Sequence, residues 1–417
     1  APVDWRAVFL VSVPVGIFGT IWGFAKLRDL SERRHANMDW WGNLTFAVGL
    51  IAVMVGITYG IQPYAGHTMG WTSPQVIAEI GGGILVLLIF CVIETRVEHP
   101  MFHLDLFRVR AFSAGNLASL LSAIGRGGLQ FVLIIWLQGI YLPRHGFSYA
   151  DTPLWAGIYL LPLVGGMLVA GPVAGALSDR IGPRPFAAAG MVLAAGSFLL
   201  LALLPVNFSY PVFALVIILN GLGMGIFFSP NRASIMNSLP ANQRGAGGGM
   251  AATFMNTAMV LSIGIFFSLM IVGLSGGLHQ SLYNGLTAHG VAPHVAARAA
   301  NLPPVATLFA AFLGYNPIQS LLGPAIHSIP LHQQHVLLGH TFFPSVISGP
   351  FSSALGSAFT FGLAVCLVAA LASLVPAKGQ PFIAWRRRHA PAPATDDGAT
   401  RDAGRRAVVA PVAAQQD

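Results

Sequence analysis

The chain has 417 residues, of which 55% are hydrophobic and only 9% are charged. Soluble domains carry about 25% charged residues, so this composition excludes an ordinary water-soluble protein. The formal net charge is +8, but the basic residues are spread over separate loops, which argues against a nucleic-acid partner. Both cysteines lie inside apolar segments, which argues against a disulfide framework and a thiolate metal site.

Apolar segments of about 20 residues recur along most of the chain, and each is long enough to cross a bilayer as a helix. Nine spans are predicted, at residues 7–25, 42–61, 77–93, 112–140, 155–177, 186–204, 212–236, 249–274 and 351–375. The sequence therefore predicts an all-α polytopic membrane protein.

The charges of the loops predict its orientation. Alternate loops and the C-terminal tail carry most of the basic residues, among them Lys26, Arg28, Arg33, Arg34, Arg96, Arg108, Arg110, Arg180, Arg184, Arg244, Lys378 and Arg386 to Arg388. The other set of loops carries only Arg6, Arg144 and Arg298. Cytoplasmic loops of inner membranes carry such an excess of Lys and Arg. The first residue is therefore predicted to lie outside the cell membrane and the C-terminus in the cytoplasm.

Two regions are predicted to lie outside the membrane spans. Residues 276–350 form a long external loop whose most apolar part, 305–314, is too short to cross a bilayer and should form short packed or interfacial helices. Residues 377–417 are rich in Ala, Pro and Arg and have no apolar periodicity, so they are predicted to be a disordered cytoplasmic tail.

A short charged segment, GALSDRIGPRP at residues 175–185, lies between two apolar segments. Six of its residues have a specific spacing: Gly175, Leu177, Asp179, Arg180, Gly182 and Arg184. This pattern resembles the signature loop of the major facilitator superfamily of transporters.

Other stretches resemble the fourteen-span branch of that superfamily, the EmrB/QacA-like drug:proton antiporters. In chain order they are WRAVFLVSVPVGI at 5–17, MDWWG at 38–42, PMFHLDLFRVRAF at 100–112, WLQ at 136–138, AGIYLLPLVGGMLVAGPVAGALSDRIGPRP at 156–185 and SLPANQRGAGGG at 238–249. The resemblance implies a partial major facilitator fold. Residues 1–34 would hold the last span of an N-terminal bundle and a cytoplasmic loop, 35–100 two linker spans, and 101–376 a complete C-terminal six-helix bundle.

The chain begins without methionine, and we expect it to be an N-terminally truncated piece that lacks five earlier spans. The acidic residue of the family's first span and the Gly-Pro motif of its fifth span would lie in that missing part. Proton coupling is therefore implied by the resemblance and by no residue of this chain.

The resemblance implies secondary active transport by alternating access, with proton-driven efflux of amphipathic or organic small molecules. Small molecules, protons and the lipid bilayer are the expected partners, and some family members also use a periplasmic membrane-fusion adaptor. Uptake or lipid flipping on the same scaffold, and a membrane receptor or scaffold without transport, are the alternatives.

No cofactor, metal or enzymatic reaction is predicted. No phosphate-binding loop of the GxxxxGK[ST] kind occurs, which argues against ATP hydrolysis. The histidines at 327, 332, 335 and 340 have no Cys or carboxylate beside them to complete a metal site.

The predicted latch comprises Gly175, Asp179, Arg180, Gly182 and Arg184. At a helix junction, the carboxylate of Asp179 can accept hydrogen bonds from the free N–H groups of the next helix, while the two arginines can bind acidic groups. Such a loop can hold the two halves of a transporter in one access state. The alternative is an ordinary capped, positively charged inner loop.

A candidate substrate cavity is predicted around Arg126, the only basic residue near the middle of a span. A charge at that depth costs at least about 2.5–3.5 kcal/mol, so it should face water, a carboxylate or an anionic substrate. A structural arginine bonded to backbone carbonyls is the alternative. Gln130, Asn116, Asn220 and Asn256 are polar residues in spans that either line the same cavity or form interhelical hydrogen bonds.

Overall fold

The computed structural model describes residues 7–26, 39–97, 100–240, 243–313 and 315–375, which form helices and turns without a β-strand. The nine long helices are α1 (Ala7–Lys26), α2 (Trp40–Gly60), α3 (Pro74–Glu94), α4 (Arg110–Arg144), α5 (Thr152–Ile181), α6 (Pro183–Leu203), α7 (Tyr210–Asn237), α8 (Arg244–Ser275) and α14 (Phe342–Ser373). Between the last two lie α9 (Leu278–Ala288), α10 (Pro293–Ala299), α11 (Pro304–Leu313), α12 (Ile318–Leu322) and α13 (Leu331–Leu338).

The prediction of an all-helical membrane protein is confirmed. Eight helices in the described part of the chain, α2 to α8 and α14, are long and apolar enough to cross a membrane. The remaining predicted span, 7–25, forms the 20-residue helix α1. The predicted tail, 377–417, lies outside the described residues.

The last span begins earlier than predicted. Helix α14 starts at Phe342, ahead of residue 351, where the predicted span begins. Pro350 was interpreted as a helix boundary, but it lies buried inside α14, with its ring 3.4 Å from the position of a Cβ on Gly277. Proline is tolerated within membrane helices because neighbouring groups satisfy the carbonyl that it leaves free.

Short helices do occupy the predicted external segment. Helix α11 buries Leu308 and Ala311 against the bundle, where a Cβ on Gly139 would lie 2.8 Å from the Ala311 Cβ. Gly139 belongs to a π-helical turn, Trp136–Tyr141, near the end of α4. The α10 and α11 pair is bent by 80°.

Small residues bring α5, α6 and α7 into close contact. Helix α5 buries one residue per turn, at Gly166, Ala170, Ala174 and Ser178. On α7, a Cβ at Gly225 would lie 2.8 Å from the Met167 carbonyl oxygen of α5, and one at Gly223 would lie 2.7 Å from the Ala194 nitrogen of α6. Small residues spaced by four allow such backbone approach in membranes.

Aromatic side chains fill the core among α4, α7 and α14. Trp136 is fully buried, and its Nε1 donates a hydrogen bond to the Val206 carbonyl at 3.0 Å. The rings of Phe208, Phe213 and Phe359 surround it with centroids 4.9–6.0 Å away. The hydrogen bond to Val206 satisfies the indole N–H of Trp136 inside an apolar core.

Helices α2 and α3 form an antiparallel hairpin that packs through glycines. The buried residues of α2 are four glycines, at 42, 49, 56 and 60, and the first three are seven residues apart. A Cβ on Gly83 of α3 would lie 2.8 Å from the Gly49 carbonyl oxygen. A seven-residue repeat keeps one narrow face toward the partner helix. The hairpin contacts α8, where a Cβ on Gly264 would lie 2.5 Å from Ile57 Cγ2.

Candidate functional site

A cavity of about 560 Å³ opens among α4, α5, α7 and α8. Ten residues line it: Arg126, Met167, Gly171, Gly225, Phe228, Ser229, Arg232, Ala233, Met236 and Met255. The six from α7 recur at intervals of three and four residues and therefore form one face of that helix. The volume of the cavity falls within the range of about 300–1,000 Å³ that is usual for ligand cavities.

Arg126 has neutral partners on two sides. Its Nη2 lies 3.8 Å from the sulfur of Met259 on α8, and its guanidinium carbon lies 5.6 Å from the centre of the Phe228 ring on α7. A cation over an aromatic face gains about 0.5–2 kcal/mol, which offsets part of the cost of removing the charge from water. Within the described residues, no carboxylate forms an ion pair with Arg126.

Arg232 brings a second guanidinium to the same cavity and was not predicted from the sequence. It lies five residues before the end of α7. A basic residue near the end of a span is common, so the sequence alone did not indicate that Arg232 lines a cavity. The signal was available in the spacing, because Arg232 is one turn beyond Phe228 and two turns beyond Gly225. No acidic side chain lines the cavity in the part of the chain that is described.

Three methionines line the cavity. Met167, Met236 and Met255 come from three different helices. Methionine is flexible and polarizable, so its side chains can adapt to differently shaped apolar surfaces. Together with two guanidinium groups, these walls form a site suited to a molecule with an apolar body and a negatively charged group.

Of the five residues predicted for the cavity, the structure brings only Arg126 to it. Gln130 and Asn256 are exposed and do not line the cavity. Asn116 is buried and donates to the Phe112 carbonyl of its own helix at 2.8 Å. Asn220 is buried and donates to Ser197 Oγ of α6 at 2.7 Å.

This cavity therefore contains one of the five predicted side chains in the described part of the chain, and a substrate-binding role for any of the five stays a prediction. Sequence spacing indicates the direction of a side chain around its own helix. The packing of the neighbouring helices determines which of those side chains line a cavity. Asn220 follows the alternative that the sequence left open, an interhelical hydrogen bond.

The predicted latch residues lie together at the junction of α5 and α6, which is narrower than the eleven-residue motif suggested. Helix α5 ends at Ile181 and α6 begins at Pro183, so Gly182 alone separates them. Its φ of +104° lies in the region that favours glycine. Its N–H donates to the Ser178 carbonyl at 2.8 Å and closes the last turn of α5.

The expectation that Asp179 caps the next helix is wrong. Asp179 lies in the last turn of α5 and is exposed, and no side chain caps the start of α6. Because α5 continues past residue 179, this carboxylate stays on the side of that helix. Arg180 is also exposed and Arg184 is half-buried in the first turn of α6. Gly175 packs against α7, where a Cβ would lie 2.7 Å from Ser229 Oγ.

Known proteins resemble this chain over most of its length. It is 28% identical over 380 residues to the tetracenomycin C resistance and export protein of Streptomyces glaucescens. The aligned residues make up 91% of this chain and 64% of that protein. It is 26% identical to the multidrug transporter protein MdtP of Bacillus subtilis, over 79% of this chain and 57% of that protein. A putative multidrug resistance protein of Escherichia coli, MdtD, is 28% identical over 68% of this chain and 57% of its own length.

The chain thus spans 57–64% of the length of these relatives. The family model of the Major Facilitator Superfamily matches residues 1–263. That match covers more than half of the chain and includes α1 to α7, the α5–α6 junction and both arginines of the cavity. Members of this family are membrane transporters, and the chain belongs to the Major Facilitator Superfamily.

Proposed function

We propose that this chain forms the C-terminal part of a proton-coupled exporter of amphipathic organic molecules. The observation that carries the proposal is the cavity at Arg126, which combines a charged group within a membrane helix with methionine and phenylalanine walls. The name of one relative, the tetracenomycin C resistance and export protein, supports export, and that of another, a multidrug transporter, supports the transport of organic molecules. Proton coupling and alternating access are the transport mode that we propose for the superfamily scaffold.

The two arginines favour substrates that carry an acidic group. Arg126 and Arg232 come from different helices and line a cavity without an acidic side chain among the described residues. A carboxylate, sulfonate or phenolate could accept charge-assisted hydrogen bonds from either guanidinium. An apolar body could at the same time contact the flexible side chains of Met167, Met236 and Met255.

A transport assay tests this function. Cells that express the full-length gene product should extrude an anionic aromatic dye, and extrusion should stop when an uncoupler collapses the proton gradient. Arg126→Gln should lower the rate at least about tenfold, since one lost charge-assisted hydrogen bond is worth about 1.5–3 kcal/mol. Exposed Gln130→Ala, on the same helix, is the matched control and should keep the wild-type rate. Binding of the dye without any flux would instead indicate a receptor or scaffold, and accumulation would indicate uptake.

We further propose that the α5–α6 junction forms the predicted latch between access states, in the cytoplasm. Asp179, Arg180 and Arg184 are available there for partners on another part of the transporter. Asp179→Asn should slow transport and leave the amount of protein in the membrane unchanged. Asp105→Asn, which changes another exposed acid, is the control, and equal transport by both variants would contradict the latch.

The membrane placement proposed here is an inner membrane with the first residue outside and the C-terminus in the cytoplasm. The excess of Lys and Arg in alternate loops supports this orientation. Labelling of single cysteines by an impermeant reagent tests it, because a cysteine at position 105 should react only after the membrane is opened. The periplasmic adaptor stays a prediction from the family resemblance.

A further inference from the structure

Two carboxyl groups meet where the hairpin begins and ends. Asp39 precedes α2 and caps it, since Oδ1 accepts a hydrogen bond from the Gly42 N–H at 2.8 Å. Glu94 is the last residue of α3 and is only 4% exposed. Its Oε2 accepts a hydrogen bond from the Phe102 N–H at 3.1 Å. Each carboxyl therefore uses one oxygen to hold a backbone N–H group.

The second oxygen of each group is buried and lacks a hydrogen-bond partner. This applies to Asp39 Oδ2 and Glu94 Oε1. Both oxygens flank the same point beside Gly42, because a Cβ built on that glycine would overlap Asp39 Oδ2 and lie 2.9 Å from Glu94 Oε1. The two unpartnered oxygens therefore lie near the same point beside Gly42, where the glycine has no side chain.

Aromatic rings from the same helices and the following loop form a cluster, and the two unpartnered oxygens have almost no exposed surface. Phe90 of α3 and Phe102 make an edge-to-face contact at 5.5 Å, and Phe46 of α2 lies 5.2 Å from each of them. These rings belong to one apolar cluster with Leu106. Water therefore has little access to the facing oxygens, and the apolar rings offer them no hydrogen-bond donor.

No base compensates the pair among the described residues. The other titratable side chains on the hairpin and on the segments packed against its end include Tyr59, Glu79, Cys91, Arg96, His103, Asp105, Arg108, Arg110 and Arg244. His103 pairs with Asp105 at 3.9 Å, and Arg244 donates to the Leu239 carbonyl. None of these groups forms an ion pair with Asp39 or Glu94 within the described part of the chain. Two carboxylates that share such a site cannot both remain ionised.

We propose that the buried Glu94 carboxyl holds one proton, which the folded protein takes from solvent. The resulting hydroxyl donates a hydrogen bond toward the unpartnered Oδ2 of Asp39. The pair then carries a single negative charge, and the N–H groups of Gly42 and Phe102 stabilise it. This proton site lies on the hairpin and does not depend on the proposed export function.

Release of the proton should loosen the end of the hairpin. Two full charges would then repel each other across Gly42 and weaken the hold of Glu94 on the Phe102 N–H. The Phe102 ring also contacts Phe254 of α8, with centroids 6.0 Å apart, and the next residue, Met255, lines the cavity. Protonation of the pair therefore acts on a contact between the hairpin and a cavity helix.

Infrared spectroscopy of the 417-residue chain in detergent tests the proposal directly. A protonated carboxyl group has a C=O stretching band that an ionised one lacks, and the band shifts in heavy water. The wild type should show such a band at about pH 7 that disappears on alkalinisation. Glu94→Gln and Asp39→Asn should each abolish it, because the new amide donates to the remaining carboxylate. Asp105→Asn should leave the band unchanged.

Thermal unfolding gives a second readout. The folded site holds this proton more tightly than the unfolded chain does, so its contribution to stability is complete below the pKa of an unfolded carboxyl, about 4.3, and declines as pH rises until the folded site is ionised. The wild-type Tm should therefore fall as pH rises from about 5 into the alkaline range, and Glu94→Gln should lack this part of the fall. A band that persists in both amide variants, or an unchanged pH dependence of their Tm, would overturn the proposal.

Discussion

The two hairpin helices and the bundle helix α4 bury very different shares of their residues, and apolarity does not explain the difference. Helix α3 is the most apolar of the eight candidate spans, yet only 17% of its most apolar window is buried. Helix α4 carries Arg126 and many small residues, and 67% of its window is buried. In a bilayer, apolar residues can face lipid at no cost, so hydrophobicity does not drive one helix against another. Burial therefore follows small and polar residues.

Helix α2 sharpens this comparison. It is about as apolar as α4 but has the same low buried share as α3. Its glycines all lie on one narrow face, whereas the buried residues of α4 occur around the helix. The distribution of small residues, rather than their presence, distinguishes a helix that contacts one partner from a helix that contacts several.

The largest effect is expected where two backbones meet inside the bundle. A Cβ on Gly221 of α7 would overlap the Leu163 carbonyl oxygen of α5. Backbone atoms cannot rotate away, so Gly221→Val should cost about 3 kcal/mol or more. Loss of the folded, monodisperse protein on size-exclusion chromatography in detergent would show this. Gly196→Ala on α6, with no atom within 4 Å of the new Cβ, should remain folded.

An intermediate effect is expected in the hairpin. Gly83→Ala should push α3 away from α2, because its Cβ would lie 2.8 Å from the Gly49 carbonyl oxygen. We expect a loss of about 1–2 kcal/mol. The neighbouring Gly82→Ala adds the same methyl group with nothing within 4 Å. Spin labels on the two helices should separate in the first variant only, and equal distances in both variants would contradict glycine packing.

A smaller effect is expected on the lipid-facing side of the hairpin. Leu88 of α3 is 58% exposed, so Leu88→Ala should change the free energy of unfolding in detergent by less than about 0.5 kcal/mol. The buried Phe90, 3% exposed on the same helix, is the comparison, and Phe90→Ala should cost about 3 kcal/mol. Similar losses from both variants would show that the exposed face is covered by protein.

The smallest effect concerns a tyrosine outside the spans. Burial raises the pKa of Tyr149 from about 10 to about 12, and its hydroxyl donates to the His340 carbonyl at 3.2 Å. Because the folded state holds this proton more tightly, the stabilisation is complete below pH 10 and is lost between about pH 10 and about pH 12. Tyr149→Phe should remove that part of the alkaline loss, as followed by thermal unfolding. It should also remove one late-titrating phenol from the ultraviolet absorbance titration.

Several features of the fold could be predicted from the sequence because they depend on local composition. Continuous apolar segments predicted the long helices, and the position of Gly182 between charged residues predicted a helix junction. The start of α14 could not be predicted in this way, because Pro350 ends a helix in water but is accommodated here against Gly277.

The candidate site was only partly predictable. Arg126 stood out because a charge within a span is costly wherever its helix packs. Arg232 did not, since a basic residue near a span end is common and only the angle of α7 brings it to the cavity. Gln130 was grouped with Arg126 because it lies four residues further along the same helix, and Asn256 because it is a polar residue within a span; neither lines this cavity.

The sequence by itself determined that the chain is a bundle of membrane helices and which residues are too polar to face lipid, because both depend on transfer of single residues from water to hydrocarbon. Only the tertiary structure decided which of those polar residues meet. Asp39 and Glu94 lie 55 positions apart in the sequence, and nothing local indicates that their oxygens face each other beside Gly42. The two carboxyl groups come together because α2 and α3 pack antiparallel, and because Gly42 has no side chain that would separate them.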